Sequence, residues 1–300
     1  MKDIMKPTAK ISSKFPLIGG IVVLIVVAFL AGRYSTEFSG KTRPANVPKA
    51  GRLTTNAQVS RHTVLVPAGE FVMGTDKTTE QPIPASYGLR KPPYENEQPR
   101  RTVFLDAFYI DRFEVSNIEY KQFVDATQAR QPDYWKDLDL KQWGRYPIMS
   151  VSWFEADSYC KWKGQRLPTE AEWEKAARGA EGRRFPWGNE YDKNKANTQQ
   201  QGLAPIGFFP EDVSPYGVHD MGGNIAEWVD SWYTPYPGNE ADDPDFGEKY
   251  RVIRGGSWGG VGHYNLSYYV RTAYRAFGNP AKGYNDIGFR CAMSAKSDMR

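Results

Sequence analysis

Apolar and polar positions follow helical spacing in three short stretches of the chain, and each stretch begins with the same pair of residue types. Ser116, Ser152 and Thr169 are each followed three positions later by a glutamate. In this capping box, a hydroxyl and a carboxylate bond the backbone N–H groups left over at a helix start. Gly164 and Gly179 follow the second and third stretches, where a left-handed residue would end a helix. The pattern predicts three short helices, the last two back to back.

Strand-like alternation marks other parts of the chain, with turns between the strands. The segments that indicate strands are 62–75, with a turn at its centre, 101–115, 251–258 and 288–295. Segments rich in Gly, Asn and Pro indicate loops, and these are 81–101, 185–202 and 206–233. Together the patterns predict an α+β domain with few helices, short strands and long ordered loops.

The N-terminal part of the chain has a different pattern. Residues 1–14 carry four lysines, and residues 15–32 carry no charge. About 18 apolar residues can just span the roughly 30 Å hydrocarbon core of a bilayer. Lysines before the span favour an N-terminus that stays in the cytoplasm, one transmembrane helix and an exported domain. A cleaved signal peptide is the alternative, although Phe29 and Ala31 make a poor small-x-small cleavage site.

Residues 33–60 are polar and without periodicity, which predicts a flexible linker. We assign the folded domain to residues 61–296 and a short tail to 297–300. The domain is expected on the periplasmic or extracellular side of the inner (cytoplasmic) membrane. The net charge is +4, and the soluble part has no strongly basic run, so nucleic acid is not an expected partner.

Several strings together resemble the formylglycine-generating enzyme, or sulfatase-modifying factor, family. The strings are VPAGEFVMGT (66–75), FYIDRFEVSNIEYKQF (108–123), VSWFEADSYCKWKGQRLPTEAEWEKAARG (151–179), FPWGNE (185–190), GGNIAEW (222–228), RGGSW (254–258) and GFRCA (288–292). The resemblance implies a variant of the C-type-lectin fold, in which irregular loops surround a small core.

The chain has two cysteines, Cys160 and Cys291, and two buried free thiols are one interpretation of them. An even count in an exported domain favours a disulfide, and the resemblance implies a bridge between these positions. Catalytic members of the family bind copper(I) with a cysteine pair after the GGS string and oxidise a substrate cysteine. The resemblance places that pair on Gly260 and Asn265, which cannot replace soft thiolate ligands. We therefore expect no copper and no copper-dependent oxidation.

Calcium is the metal that the resemblance does imply, at one site in the string HDMGGNIAEW. The implied ligands are Asp220, Gly223, Ile225 and Glu227, the middle two through their backbone oxygens. Hard oxygen ligands of this kind suit calcium. The alternative is that Asn224 and Glu227 only satisfy backbone groups of the loop.

Aromatic and arginine side chains, which are favoured at binding hot spots, surround the missing cysteine pair. Those that could form a binding face are Trp258, His263, Tyr264 and Arg271, although packing is an alternative role for them. The leading hypothesis is a membrane-anchored, non-catalytic binding or scaffold subunit, with a protein partner in an envelope complex. An enzyme of the family with altered chemistry and a lectin-type ligand-binding module are the alternatives.

Overall fold

Four α-helices and nine strands lie in the parts of the chain that the computed structural model describes, which are residues 62–76, 94–198, 202–258 and 267–295. The helices are α1 (Asn117–Thr127), α2 (Leu140–Trp143), α3 (Trp153–Trp162) and α4 (Glu170–Arg178). Two short 3-10 helices, Glu95–Glu97 and Asp133–Asp137, accompany them.

The three predicted capping boxes are all formed. Ser116, Ser152 and Thr169 precede α1, α3 and α4, and each accepts a hydrogen bond from the backbone of the glutamate three positions on. Gly164 and Gly179 follow α3 and α4 with φ of 78° and 74°, in the region that favours glycine. The prediction of these three helices is confirmed, because each capping box needs only residues three positions apart.

The strands are β1 (Thr63–Val66), β2 (Gly69–Met73), β3 (Arg101–Leu105), β4 (Phe108–Asp111), β5 (Ala226–Trp232), β6 (Arg251–Arg254), β7 (Arg275–Gly278), β8 (Ile287–Gly288) and β9 (Ala292–Ser294). They form three sheets with the orders β1-β4-β9, β2-β3 and β7-β6-β5-β8, and only the β5–β8 pairing among them is parallel. The prediction of a loop over 206–233 is wrong for its last part, since β5 lies there. The first four residues of β5 are buried on both faces, so this strand lacks the alternation that sequence patterns reveal.

Two apolar clusters form most of the core. In the first, α1 packs on α3 through Tyr120, whose ring stacks on Tyr159 at a centroid distance of 5.6 Å. Phe289, between β8 and β9, covers the same pair of rings. The second cluster surrounds Trp173 of α4, which is fully buried against β1, β4, β5 and β6. The two helices that the sequence places back to back therefore serve different parts of the core.

A disulfide joins Cys160 of α3 to Cys291, the residue before β9, with a Cα–Cα distance of 5.6 Å. Both cysteines are fully buried. The prediction of this disulfide is confirmed. It connects the helix at the centre of the first cluster with the last strand of the chain.

The predicted transmembrane segment, residues 15–32, and the linker, residues 33–60, lie outside the described residues. Within the described ranges, no helix has the length and apolar character needed to span a bilayer.

Candidate functional site

The RGGSW string begins at the last residue of β6 and packs directly on the loop for which calcium is predicted. Trp258 N donates a hydrogen bond of 2.9 Å to Asn224 O. A Cβ added at Gly256 would lie 3.1 Å from Gly222 O and 2.7 Å from a methyl carbon of Val270, so this position has no room for a side chain. The structure thus brings together the RGGSW string and the loop for which calcium is predicted. Gly260, His263, Tyr264 and Asn265 lie outside the described residues.

Glu227, a predicted calcium ligand on β5, is fully buried, and its carboxylate is occupied by other side chains. Arg290 donates to both of its oxygens at 2.7 to 3.0 Å, and Trp173 Nε1 donates at 2.9 Å. Arg290 in turn donates to the backbone oxygens of Asp111, Arg112 and His219. A metal ion could use Glu227 only by displacing Arg290, so the predicted set of ligands fits calcium only in part.

Asp220, another predicted ligand, belongs to a group of carboxyl groups that we call the acid cluster: Glu114, Asp212, Asp220 and Glu227. All four are buried, with exposed fractions of 2% or less. Burial, followed by the charge of Asp220, raises the pKa of Glu114 and of Asp212 well above the usual range. Burial also raises the pKa of Asp220. Arg290 opposes these shifts but carries a single positive charge against four carboxyl groups.

Two side-chain oxygens, one in this cluster and one near it, accept no hydrogen bond from the described part of the chain. One is Glu114 Oε2, whereas Glu114 Oε1 accepts from Asn224 Nδ2 at 3.1 Å. The other is Oδ1 of Asn197, whose Nδ2 donates to Asn224 Oδ1 at 3.0 Å. Buried acceptors without donors are unfavourable, and a cation is one way to satisfy them.

Across the described ranges, however, no group of three or more His, Cys, Asp or Glu side chains has the arrangement of a metal site. Calcium at Asp220 therefore stays a prediction. Glu114 joins the residues that could contribute to such a site, although the sequence did not single it out.

A second buried group has the opposite balance of charge, and we call it the arginine–glutamate network: Glu97, Glu170, Glu174, Arg178, Arg254, Arg271 and Arg275. Arg254 connects two acids of α4, donating to Glu170 at 2.9 Å and to Glu174 at 2.7 Å. Arg275 donates to both oxygens of Glu170, at 2.6 and 3.1 Å. Burial alone would raise the pKa of Glu170, but the charges of Arg275 and Arg254 hold it below its usual value.

Arg271, predicted for an outward binding face, is buried in this network, with an exposed fraction of 1%. Its Nη atoms donate to the two oxygens of Glu97 at 2.7 and 2.8 Å, and its guanidinium stacks on Tyr268. Trp258 is half-buried. Arg271 is therefore buried, because its guanidinium pairs with a carboxylate 174 positions away in sequence, and a role for it in a binding face stays a prediction.

The described fold, with few helices, short strands and long loops around a small core, is that of a formylglycine-generating-enzyme-like domain. Residues 49–295 match the family model described as "Sulfatase-modifying factor enzyme 1-like domain". The chain belongs to this family.

Known relatives agree with this assignment. The chain is 31% identical over 325 residues to the formylglycine-generating enzyme of Bos taurus, covering 87% of this chain and 80% of that protein. It is 29% identical over 287 residues to the "Inactive C-alpha-formylglycine-generating enzyme 2" of Mus musculus, covering 77% of this chain and 85% of that protein. Among solved structures, PvdO from Pseudomonas aeruginosa is similar, with a TM-score of 0.59, 25% identity and coverage of 83% of this chain and 100% of that one.

Proposed function

We propose that this protein is a membrane-anchored, exported and non-catalytic binding subunit of an envelope protein complex. The observation that carries the proposal is the disulfide between Cys160 and Cys291. These are the two cysteines of the whole chain, and both are consumed by one buried bond. No thiolate is left to bind copper(I) or to act as a sulfur nucleophile.

The residues at the positions implied for the copper ligands support the same conclusion. Gly260 has no side chain, and Asn265 offers a hard amide oxygen and an amide nitrogen that does not bind copper(I) strongly. The residues present therefore do not fit a copper site. That a similar mouse protein is named inactive agrees with the idea that this domain can persist without catalysis.

Copper binding tests the non-catalytic part of the proposal. The full chain, purified in mild detergent, is titrated with copper(I) against a chromogenic chelator and then incubated with oxygen and a cysteine-containing peptide. We expect no stoichiometric copper binding and no change in the peptide's mass. Stoichiometric binding with conversion of the peptide cysteine would establish the enzyme alternative and overturn the proposal.

A matched variant shows whether the two substituted positions account for the result. The double substitution Gly260→Cys with Asn265→Cys places thiols where the resemblance implies them. We expect this variant to bind about one copper(I) ion per chain while the unsubstituted protein does not. If the variant also fails to bind, positions 260 and 265 are not those of the copper ligands, and the residues there no longer support the proposal.

The anchor and the partner need a separate test. The uncharged segment 15–32 supports retention of the full chain in membranes after extraction at high pH, and release into the supernatant would contradict the anchor. Chemical cross-linking in intact membranes should shift the 34.0 kDa chain to a discrete heavier band. A band that stays at the mass of the single chain would contradict the complex.

A further inference from the structure

A polar cleft of about 360 Å³ borders the arginine–glutamate network. Four arginines line it, Arg100, Arg178, Arg184 and Arg271, together with Glu190 and a set of small residues that includes Gly74 and Gly182. Small-molecule sites usually enclose roughly 300–1,000 Å³. The cleft is therefore large enough for a small ligand, and its walls are rich in guanidinium groups.

Arg178 contributes a buried guanidinium to this wall. It is 7% exposed, and Nη1 donates to Gly74 O at 2.9 Å and to Glu174 at 2.6 Å, whereas Nη2 donates to Gly182 O at 3.1 Å. Its Nε has no acceptor among the described residues. That nitrogen is itself inaccessible, so Arg178 contributes its positive charge to the cleft and not a direct hydrogen bond to a ligand.

Arg100 and Glu190 lie at the exposed part of the cleft and are the side chains with freedom to respond to a ligand. Both are exposed, and within the described ranges neither side chain has a hydrogen bond or an ion pair. Their opposite charges give them opposite effects on an anion, which separates a binding role from a purely structural one.

The lining of the cleft contains more arginines than acids. Four guanidinium groups line it, against the carboxylate of Glu190 and the two buried carboxylates, Glu97 and Glu174, that bond Arg271 and Arg178. Guanidinium groups are planar donors that match carboxylate and phosphate oxygens. The arginine-rich wall, the exposed Arg100 and the volume favour an anion.

We propose that this cleft binds a small molecule through an oxyanion group, a phosphate or a carboxylate, which Arg100 contacts and the arginine-lined wall attracts. The proposal does not depend on whether the protein is catalytic. Phosphate and carboxylate share the same chemistry of recognition here, and the experiment distinguishes them.

The full chain in detergent is titrated calorimetrically with inorganic phosphate and, separately, with succinate, at constant pH and ionic strength. Binding of either anion supports the proposal and identifies which group the cleft prefers. Absence of saturable binding by both anions overturns it.

Two substitutions at the rim give opposite expectations. Arg100→Gln should weaken binding of the preferred anion by about tenfold, because a charge-assisted hydrogen bond is lost. Glu190→Gln should strengthen binding severalfold, because a like charge is removed. Exposed residues that do not line the cleft provide the controls, Arg145→Gln and Glu240→Gln, and both should bind as the unsubstituted protein does.

The pattern of signs decides the outcome. All four variants change exposed side chains, so unchanged melting temperatures and circular dichroism should verify their folding. If Arg100→Gln binds as tightly as the control Arg145→Gln, or if Glu190→Gln weakens binding, the anion does not bind in this cleft and the proposal is wrong.

Discussion

The two buried charged regions of this domain, the arginine–glutamate network and the acid cluster, differ in how their charges are balanced. The network has four arginines for three glutamates, and arginine charges hold the pKa of Glu170 below its usual value. The acid cluster has four carboxyl groups for Arg290, and the pKa values of Glu114, Asp212 and Asp220 are raised.

This difference indicates a structural role for the network, whereas the acid cluster is a place where a proton or a cation could bind. In the network, each glutamate has an arginine partner within 3.0 Å, so the charges can cross-link α4 to β6 and β7 without any added ion. In the acid cluster, only Glu227 has such a partner among the described residues. Burying the other three carboxyl groups as unpaired anions is unfavourable, so each needs a proton or a nearby cation.

The largest effect should come from breaking the network. Arg254→Met keeps most of the side-chain volume but leaves Glu170 and Glu174 with fewer partners in a buried site. Removal of one member of a buried ion pair typically costs about 3–5 kcal/mol of unfolding free energy. Urea denaturation followed by tryptophan fluorescence measures the loss.

Arg145→Met is the matched control, because Arg145 is exposed and its side chain has no ion pair in the described ranges. Surface substitutions of this kind usually change stability by less than about 0.5 kcal/mol. An Arg254→Met protein as stable as the control would show that the network adds nothing to the stability of the fold, and the structural role inferred for it would be wrong.

An intermediate effect is expected from calcium at the acid cluster. If calcium binds there, millimolar calcium should raise the unfolding free energy by about 1–3 kcal/mol relative to a chelator, according to its affinity. Asp220→Asn should abolish the rise, whereas Asp137→Asn, at an exposed aspartate, should keep it. Identical melting temperatures in calcium and in chelator would contradict the calcium prediction and leave protonation as the way the cluster is neutralised.

The smallest effect should come from removing one charge of the acid cluster in the presence of chelator. Asp212→Asn keeps an oxygen that can accept the hydrogen bond now donated by Gly222 N, and it removes repulsion with Asp220. We expect a gain in unfolding free energy on the order of 1 kcal/mol at neutral pH. A clear loss of unfolding free energy in urea denaturation would mean that the charges of the acid cluster are already balanced, unlike the excess of carboxyl groups inferred here.

Elements whose pattern lies in neighbouring residues could be predicted from the sequence, whereas side-chain contacts between distant residues could not, apart from the disulfide that the family resemblance implies. The capping boxes of α1, α3 and α4 need only residues three positions apart, so their starts were predictable. Strand β5 was missed because burial on both faces removes its alternation. The disulfide was predictable because the chain has only two cysteines and the family resemblance pairs them.

The candidate site shows the same division. The resemblance identified Asp220 and Glu227, but nothing in the sequence indicated that Glu114 lies beside them, 110 positions before Asn224, to which it is bonded. Nor could the sequence show that Arg290, 63 positions after Glu227, donates hydrogen bonds to the Glu227 carboxylate. The cleft that the four arginines line draws its residues from four separated regions of the chain, 74–75, 100, 178–190 and 271–273, so no local pattern marks it.

The Glu97–Arg271 pair joins two points of the chain that each follow a stretch outside the described ranges, 77–93 and 259–266. Gly260 and Asn265 fall within the second stretch. A buried ion pair of this kind fixes Glu97 and Arg271 relative to each other, whatever the sequences of the two stretches are. Substitutions within either stretch can therefore accumulate while this buried pair continues to hold the described parts of the domain together.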